Sequence, residues 1–187
     1  MYIAQSKRKS NIAEYILYLW QLEDLLRALQ FSPEAIYSQL VAPGKEIDEE
    51  HKQELFLWYT DIVNLLREED KETIGHLDHT LHLIADLNNL HLQLLKLPVG
   101  ARYRELYARL APELPVLKAK LGKQDMSDVE LFFRALYSVV LLRIKGSEDG
   151  KENRYIEDVI GLISPVVAEL SRVFHEVERG EVDLFKE

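Results

Sequence analysis

Two groups of residues in this chain have types and spacing that can support chemistry. The first lies in "GHLDHTLHLIADLNNLHLQLL". At about 100° per residue, His79, His82 and Asp86 fall within an arc of roughly 60° on one helix face. Imidazole and carboxylate both ligate divalent metals, so this triplet is a candidate metal site. Asp78, Asn89 and Gln93 occupy or border the same face, which also makes it an ordinary solvated stripe, and we favour that reading. His76 and His91 turn toward the apolar side and are expected at the core edge, each with a hydrogen bond. His51 and His175 stand alone in the sequence.

The second group is embedded in "NIAEYILYLWQLEDLLR", residues 11–27, which is apolar almost all the way round a helix. Glu23 and Arg27 form an i, i+4 pair on an apolar shoulder next to Trp20, with Asp24 just beyond it. "ELFFRALYSVVLLRIK" repeats the anomaly, with Arg143 in line with Phe132, Leu136 and Val139. Buried charges are normally paired. Trp20, Glu23, Asp24, Arg27 and Arg143 are therefore a candidate buried polar cluster. It is either an internal ion-pair network or a pocket for a small charged ligand. We favour the network, built on a Glu23–Arg27 pair.

Other chemistries are missing from the sequence. No Glu-x-x-His pair of a di-iron bundle occurs. The His-Glu-x-x-His zinc pattern, a Gly-rich phosphate loop and a Gly-x-Ser-x-Gly elbow are all absent. No cofactor is expected. The absence of cysteine excludes disulfides, thiolate metal sites and cysteine nucleophiles. The formal net charge of −9 disfavours phosphate backbones and anionic membranes. Lys7-Arg8-Lys9 is the one basic run and reads as a solvated leader. No basic stretch is interleaved with aromatics, so nucleic acid is not an expected partner. No segment approaches the ~20 apolar residues of a membrane span, and Glu14, Glu23 and Asp24 interrupt any signal-like stretch. A cytoplasmic location is expected.

These residues must be positioned by helices, since helical periodicity runs throughout and no strand is evident. One helix is expected from Asn11 to Gln30. Ser32-Pro33-Glu34 then starts a short helix ending near Val41. "APGKEI" is a turn. Asp48 caps a helix reaching Glu69, and another runs from about Thr73 to Lys96, stopped by Pro98. A helix over 102–121 is expected to kink or split at Pro112 and Pro115. Ser127-Asp-Val-Glu130 is a capping box, with Met126 and Leu131 as its hydrophobic staple, opening a helix to Lys145. "GSEDGKEN" is a polar loop, and the last helix covers 152–178 around Pro165. The reading is a single-domain, all-α antiparallel bundle over residues 1–178, with about six main helices, one short helix and a tail at 179–187.

"IAQSKRKSNIAEYILYLWQLEDLLRA" and "ALYSVVLLRIK" resemble an uncharacterised domain-of-unknown-function family of small all-helical proteins from Bacteroidetes bacteria. Asn11, Glu14, Trp20, Gln21, Glu23, Asp24 and Arg27 carry the likeness. It implies an all-α cytosolic bacterial protein and brings no activity, cofactor or catalytic residue.

Two functions remain open. The first, which we favour, is a non-enzymatic, self-associating helical interaction protein, a homodimer with the helix at 11–30 or 127–145 in its interface, and with room for another protein partner. The second is a bundle with a small-molecule or metal site, with the possibility of enzyme activity.

Overall fold

The computed structural model describes residues 1–44, 47–121, 125–145 and 152–184, and the backbone alone for 143–145, 152–154 and 156. Parts of the expected "APGKEI" turn, the "GSEDGKEN" loop and the tail (45–46, 146–151 and 185–187) lie outside these residues.

Every regular element described is helical: α1 (Tyr2–Ser10), α2 (Ile12–Ala28), α3 (Pro33–Ile36), α4 (Glu49–Glu68), α5 (Asp78–Leu94), α6 (Ala101–Leu110), α7 (Leu114–Leu121), α8 (Asp128–Lys145) and α9 (Glu152–Glu178). The caps follow the residue chemistry. The Ser32 hydroxyl accepts from the Ala35 amide and the Asp48 carboxylate from the His51 amide. The Ser127 hydroxyl accepts from the Glu130 amide, with Met126 and Leu131 buried beside it. A π-helical turn over Tyr37–Val41 follows α3. Pro112 and Pro115 cannot donate, and a 3-10 turn over Ala111–Glu113 separates α6 from α7. Pro165 is tolerated inside α9 because it lies on the exposed side, where water can satisfy the freed carbonyl of residue 161.

Two expectations are corrected. The N-terminal leader is helix α1, with Ala4 buried, and its lysines and arginine occupy the last turn. That suits a helix C-terminus, where the dipole favours cations. The helix expected from Thr73 starts at Asp78 instead. Asp70 (φ 54°) and Gly75 (φ 95°) adopt left-handed conformations that stop helical propagation, so residues 69–77 form a loop. Residue 75 is where glycine is needed.

The chain divides into two compact units. The first comprises Met1–Ser10 and Glu14–His82. Its core joins Leu19, Leu22 and Leu26 of α2 to Tyr59, Ile62, Val63 and Leu66 of α4, closed by Ile36, Val41 and Leu77. The second comprises Asn11–Ala13 and Leu83–Glu187. There α9 buries Val159, Ile163, Val166, Val167, Leu170 and Val173, a helical stripe, while α8 buries Phe132, Phe133 and Ala135. Gly100 lets the start of α6 lie on the end of α5, since a Cβ there would come within 1.8 Å of the Leu94 carbonyl oxygen. Arg104 donates to the Leu94 and Leu97 carbonyls, satisfying acceptors left open at that helix end.

Candidate functional site

In the first unit α2 buries Ile16, Leu19, Trp20, Leu22 and Leu26, while Ile12 and Ala13 are buried in the second. The apolar sides of the helix are thus covered largely within one chain. Glu23 shares this environment at 0% exposure. As a carboxylate it accepts from His76 Nδ1 at 2.7 Å and from the Leu77 amide at 3.3 Å. The His76 ring stacks on Trp20, with centroids 3.8 Å apart and planes within 6°. Trp20 Nε1 donates to Thr80 Oγ1 at 3.0 Å, and Thr80 Oγ1 donates to the Leu77 carbonyl at 2.8 Å. Both carboxylate oxygens are therefore engaged, and the ring, indole and hydroxyl around them are hydrogen-bonded or stacked.

Arg27 turns to a different set of partners. Its Nη1 donates to Asp24 at 2.7 Å. Nε and Nη2 donate to the Lys71 carbonyl at 3.1 and 2.9 Å, and Nη2 also reaches the Gly75 carbonyl at 2.6 Å. The planar fork of donors suits this convergence on backbone oxygens. The expected Glu23–Arg27 pair is replaced by two arrangements on one segment: Glu23 grips 76–77 and Arg27 grips 71 and 75. Glu69 adds a third hold, accepting from the Asp78 amide at 2.7 Å and so serving the first turn of α5. Trp20, Glu23, Asp24 and Arg27 all belong to the first unit, while the side chain of Arg143 lies outside the described residues.

The sequence reading places His76 at the core edge but does not join it to Glu23, 53 positions earlier. Thr80 and the loop carbonyls carry no sequence signal beyond Gly75. Chemically, this is an internal clasp. Glu23 exposes no surface to a substrate, and its acceptors are occupied.

The other histidines have separate settings. His79, His82 and Asp86 are exposed, and His79 Nε2 lies 3.0 Å from the Tyr15 hydroxyl. Among the described residues no three His, Asp or Glu side chains converge as a metal site. His51 pairs with Asp48 at 2.7 Å. His175 Nε2 accepts from the Ile12 amide at 3.1 Å, occupying one of the open donors at the start of α2. On the same helix the buried Glu169 pairs with Arg172 at 2.6 Å.

The second unit holds its own buried polar group. His91, 2% exposed, has Nδ1 2.6 Å from the Tyr103 hydroxyl and Nε2 4.0 Å from Asp128. Tyr107 donates to Asp128 at 2.6 Å, and Lys118 lies 2.8 Å from its other oxygen. Burial raises both phenols, with Asp128 adding to the effect, so they remain protonated donors. Burial opposes ionisation of Asp128, but Lys118 and Tyr107 together hold its carboxyl below the ordinary range.

Burial also pushes the His91 imidazole below its ordinary value of 6.5, against the opposing pull of Asp128. The unfolded chain then takes up this proton before the folded one, so His91 costs stability as pH falls below about 6.5. Urea unfolding of wild type and His91→Gln between pH 7 and 5 isolates this effect, because every other titrating group is shared. The wild type is expected to lose stability more steeply. Parallel profiles would contradict the assignment.

An all-helical chain in which α2 turns Glu23 and Arg27 onto an internal loop defines a class of architecture, and the comparisons supply the family. The chain belongs to the family described as Domain of unknown function (DUF4924), whose model matches residues 1–181. No curated protein and no solved structure matches it. The family description assigns no biochemical function. Among the described residues, no helix is long and apolar enough to cross a membrane.

Proposed function

We propose that this protein is a non-enzymatic helical interaction module of the bacterial cytoplasm that self-associates as a homodimer through its first unit. The observation that carries the reading is Ile74. It is 80% exposed, yet it belongs to a loop held by Arg27, Glu23 and Glu69. A loop fixed at that cost, with an aliphatic side chain in water, is preorganised for contact, since little ordering entropy remains to be lost on binding. Leu57 and Leu65, 61% and 43% exposed, lie on one side of α4 about 12 Å apart along the helix and add apolar surface to the same unit. Burial of α2 within the chain moves the proposed interface from that helix to these positions. A two-fold pairing brings identical patches together and needs no other component. The cysteine-free composition fits a reducing, cytoplasmic setting.

Light scattering over a hundredfold dilution series tests the proposal. The wild type is expected to approach a dimer mass at the concentrated end. Ile74→Asp is expected to shift the dimerisation midpoint at least tenfold upward without changing the unfolding stability measured at concentrations where both proteins are monomeric. A monomer mass throughout, or a dimer indifferent to Ile74→Asp, would reject it.

A further inference from the structure

The polar group buried in the second unit brings a phenol and a base into direct contact. Tyr103 is 1% exposed, and its hydroxyl lies 2.6 Å from His91 Nδ1. Burial keeps this phenol protonated, so it donates to the Nδ1 lone pair of a neutral imidazole, whose Nε2–H turns toward Asp128 at 4.0 Å. The ring of Phe132 stands edge-on to His91, with centroids 6.4 Å apart. Tyr107 lies beside Tyr103, with centroids 6.4 Å apart and planes within 12°, and is only half-buried. Its own hydroxyl donates to Asp128 at 2.6 Å. The chain has no cysteine, and both tryptophans, Trp20 and Trp58, belong to the first unit. Within the second unit, phenols are therefore the side chains that give up one electron most readily.

We propose that Tyr103 and His91 form a redox-active pair that gives one electron to an oxidant of the oxygen-centred radical class. The oxidant becomes its anion, the Tyr103 O–H bond breaks, and the proton bonds to His91 Nδ1. A neutral tyrosyl radical and an imidazolium remain. A phenol that lost the electron alone would become a strongly acidic radical cation, a charge that a buried site cannot solvate. A base already 2.6 Å away takes the proton without any group moving. The imidazolium then faces Asp128, whose negative charge offsets the burial. Tyr107 connects the pair to the surface. The oxidant meets this ring first, its proton shifts to Asp128, and the proton returns when Tyr103 supplies the electron. The radical settles on Tyr103 because imidazole is a stronger base than a carboxylate that, despite burial, Lys118 and Tyr107 hold below the ordinary range. Burial there keeps a second radical away. A thiolate, itself oxidised to a thiyl radical, would return the electron while His91 returns the proton. The pair lies within the second unit and does not rest on the proposed self-association.

Flash photolysis of the full chain with tris(bipyridine)ruthenium(II) and persulfate tests the inference, since it generates a one-electron oxidant in solution. Transient absorption and electron paramagnetic resonance follow the tyrosyl radicals. The wild type is expected to show a component that decays at least tenfold more slowly than radicals on exposed phenols. Tyr103→Phe is expected to abolish it, whereas Tyr59→Phe, which deletes a buried phenol of the first unit, leaves its yield and lifetime within twofold. His91→Phe keeps a ring but no base and is expected to lower the yield at least tenfold. Formation is expected to be at least twofold slower in deuterium oxide, because the proton moves with the electron. Far-UV circular dichroism checks that the variants retain their helices. The isotope effect, and loss of the slow component in urea-unfolded wild type, need no variant. Absence of a slow component, its survival in Tyr103→Phe, in His91→Phe or on unfolding, or equal rates in the two solvents would each overturn the proposal.

Discussion

Arg27→Met is expected to lower the unfolding free energy by about 2–4 kcal/mol, because two backbone carbonyls lose a charged donor and such hydrogen bonds are worth about 1.5–3 kcal/mol each. The Arg27 side chain is 12% exposed and reaches three acceptors, of which two are backbone carbonyls of the 69–77 loop. Methionine preserves much of the apolar stem but leaves the Lys71 and Gly75 carbonyls without these donors. The Asp24 contact contributes little of this, since its carboxylate is 41% exposed and water replaces the partner. Urea unfolding measures the loss. Hydrogen exchange is expected to show faster opening of amides over 70–77, with the α8 and α9 amides slowed or quickened only in step with global stability. A cost below about 1 kcal/mol would place Arg27 among solvated surface pairs and dissolve the clasp.

Glu23→Leu is expected to cost a similar amount, about 2–4 kcal/mol, because it leaves buried groups of His76 and Leu77 without their acceptor, at about 1–3 kcal/mol each. The leucine leaves the Leu77 amide without its carboxylate acceptor in a buried position, and deprives the ring stacked on Trp20 of its charged partner. Glu23→Gln is expected to fall between wild type and Glu23→Leu. Its amide oxygen can still accept from one partner, but its nitrogen presents a donor where a second acceptor was. Combining Glu23→Leu with Arg27→Met is not expected to restore stability, because each residue holds its own part of the loop.

The helix caps and breaks were legible because their signals are local. Ser32, Asp48 and Ser127 each accept from an amide three residues on, and Pro112 and Pro115 stop donation wherever they occur. The burial of Glu23 was also legible, because the apolar side chains around it on α2 leave no wet face. Its partner was not. Helical spacing makes Arg27 the nearest opposite charge, but His76 meets Glu23 only after the chain has passed through α4 and turned back. The loop itself was hidden by composition. Residues 73–77 read as an acceptable helix start until Gly75 adopts φ 95° and Glu69 supplies the cap at Asp78. Helix α1 was missed because it buries Ala4 rather than a stripe of large side chains, so its periodicity is faint. Of the second unit's polar group, the inward turn of His91 was visible. Its meeting with Tyr103, Tyr107 and Asp128 depends on three helices and has no linear signature.

The central claim is that the charges of α2 hold an internal loop rather than serve a ligand. A double-mutant cycle on Glu23→Leu and His76→Phe reads it most directly, since phenylalanine preserves a ring that can stack on Trp20. Each single substitution strands the other residue of the pair, so the double variant is expected to recover at least about 1 kcal/mol relative to the sum of the singles. Losses that add to within about 0.5 kcal/mol would show two residues acting independently and would contradict the account.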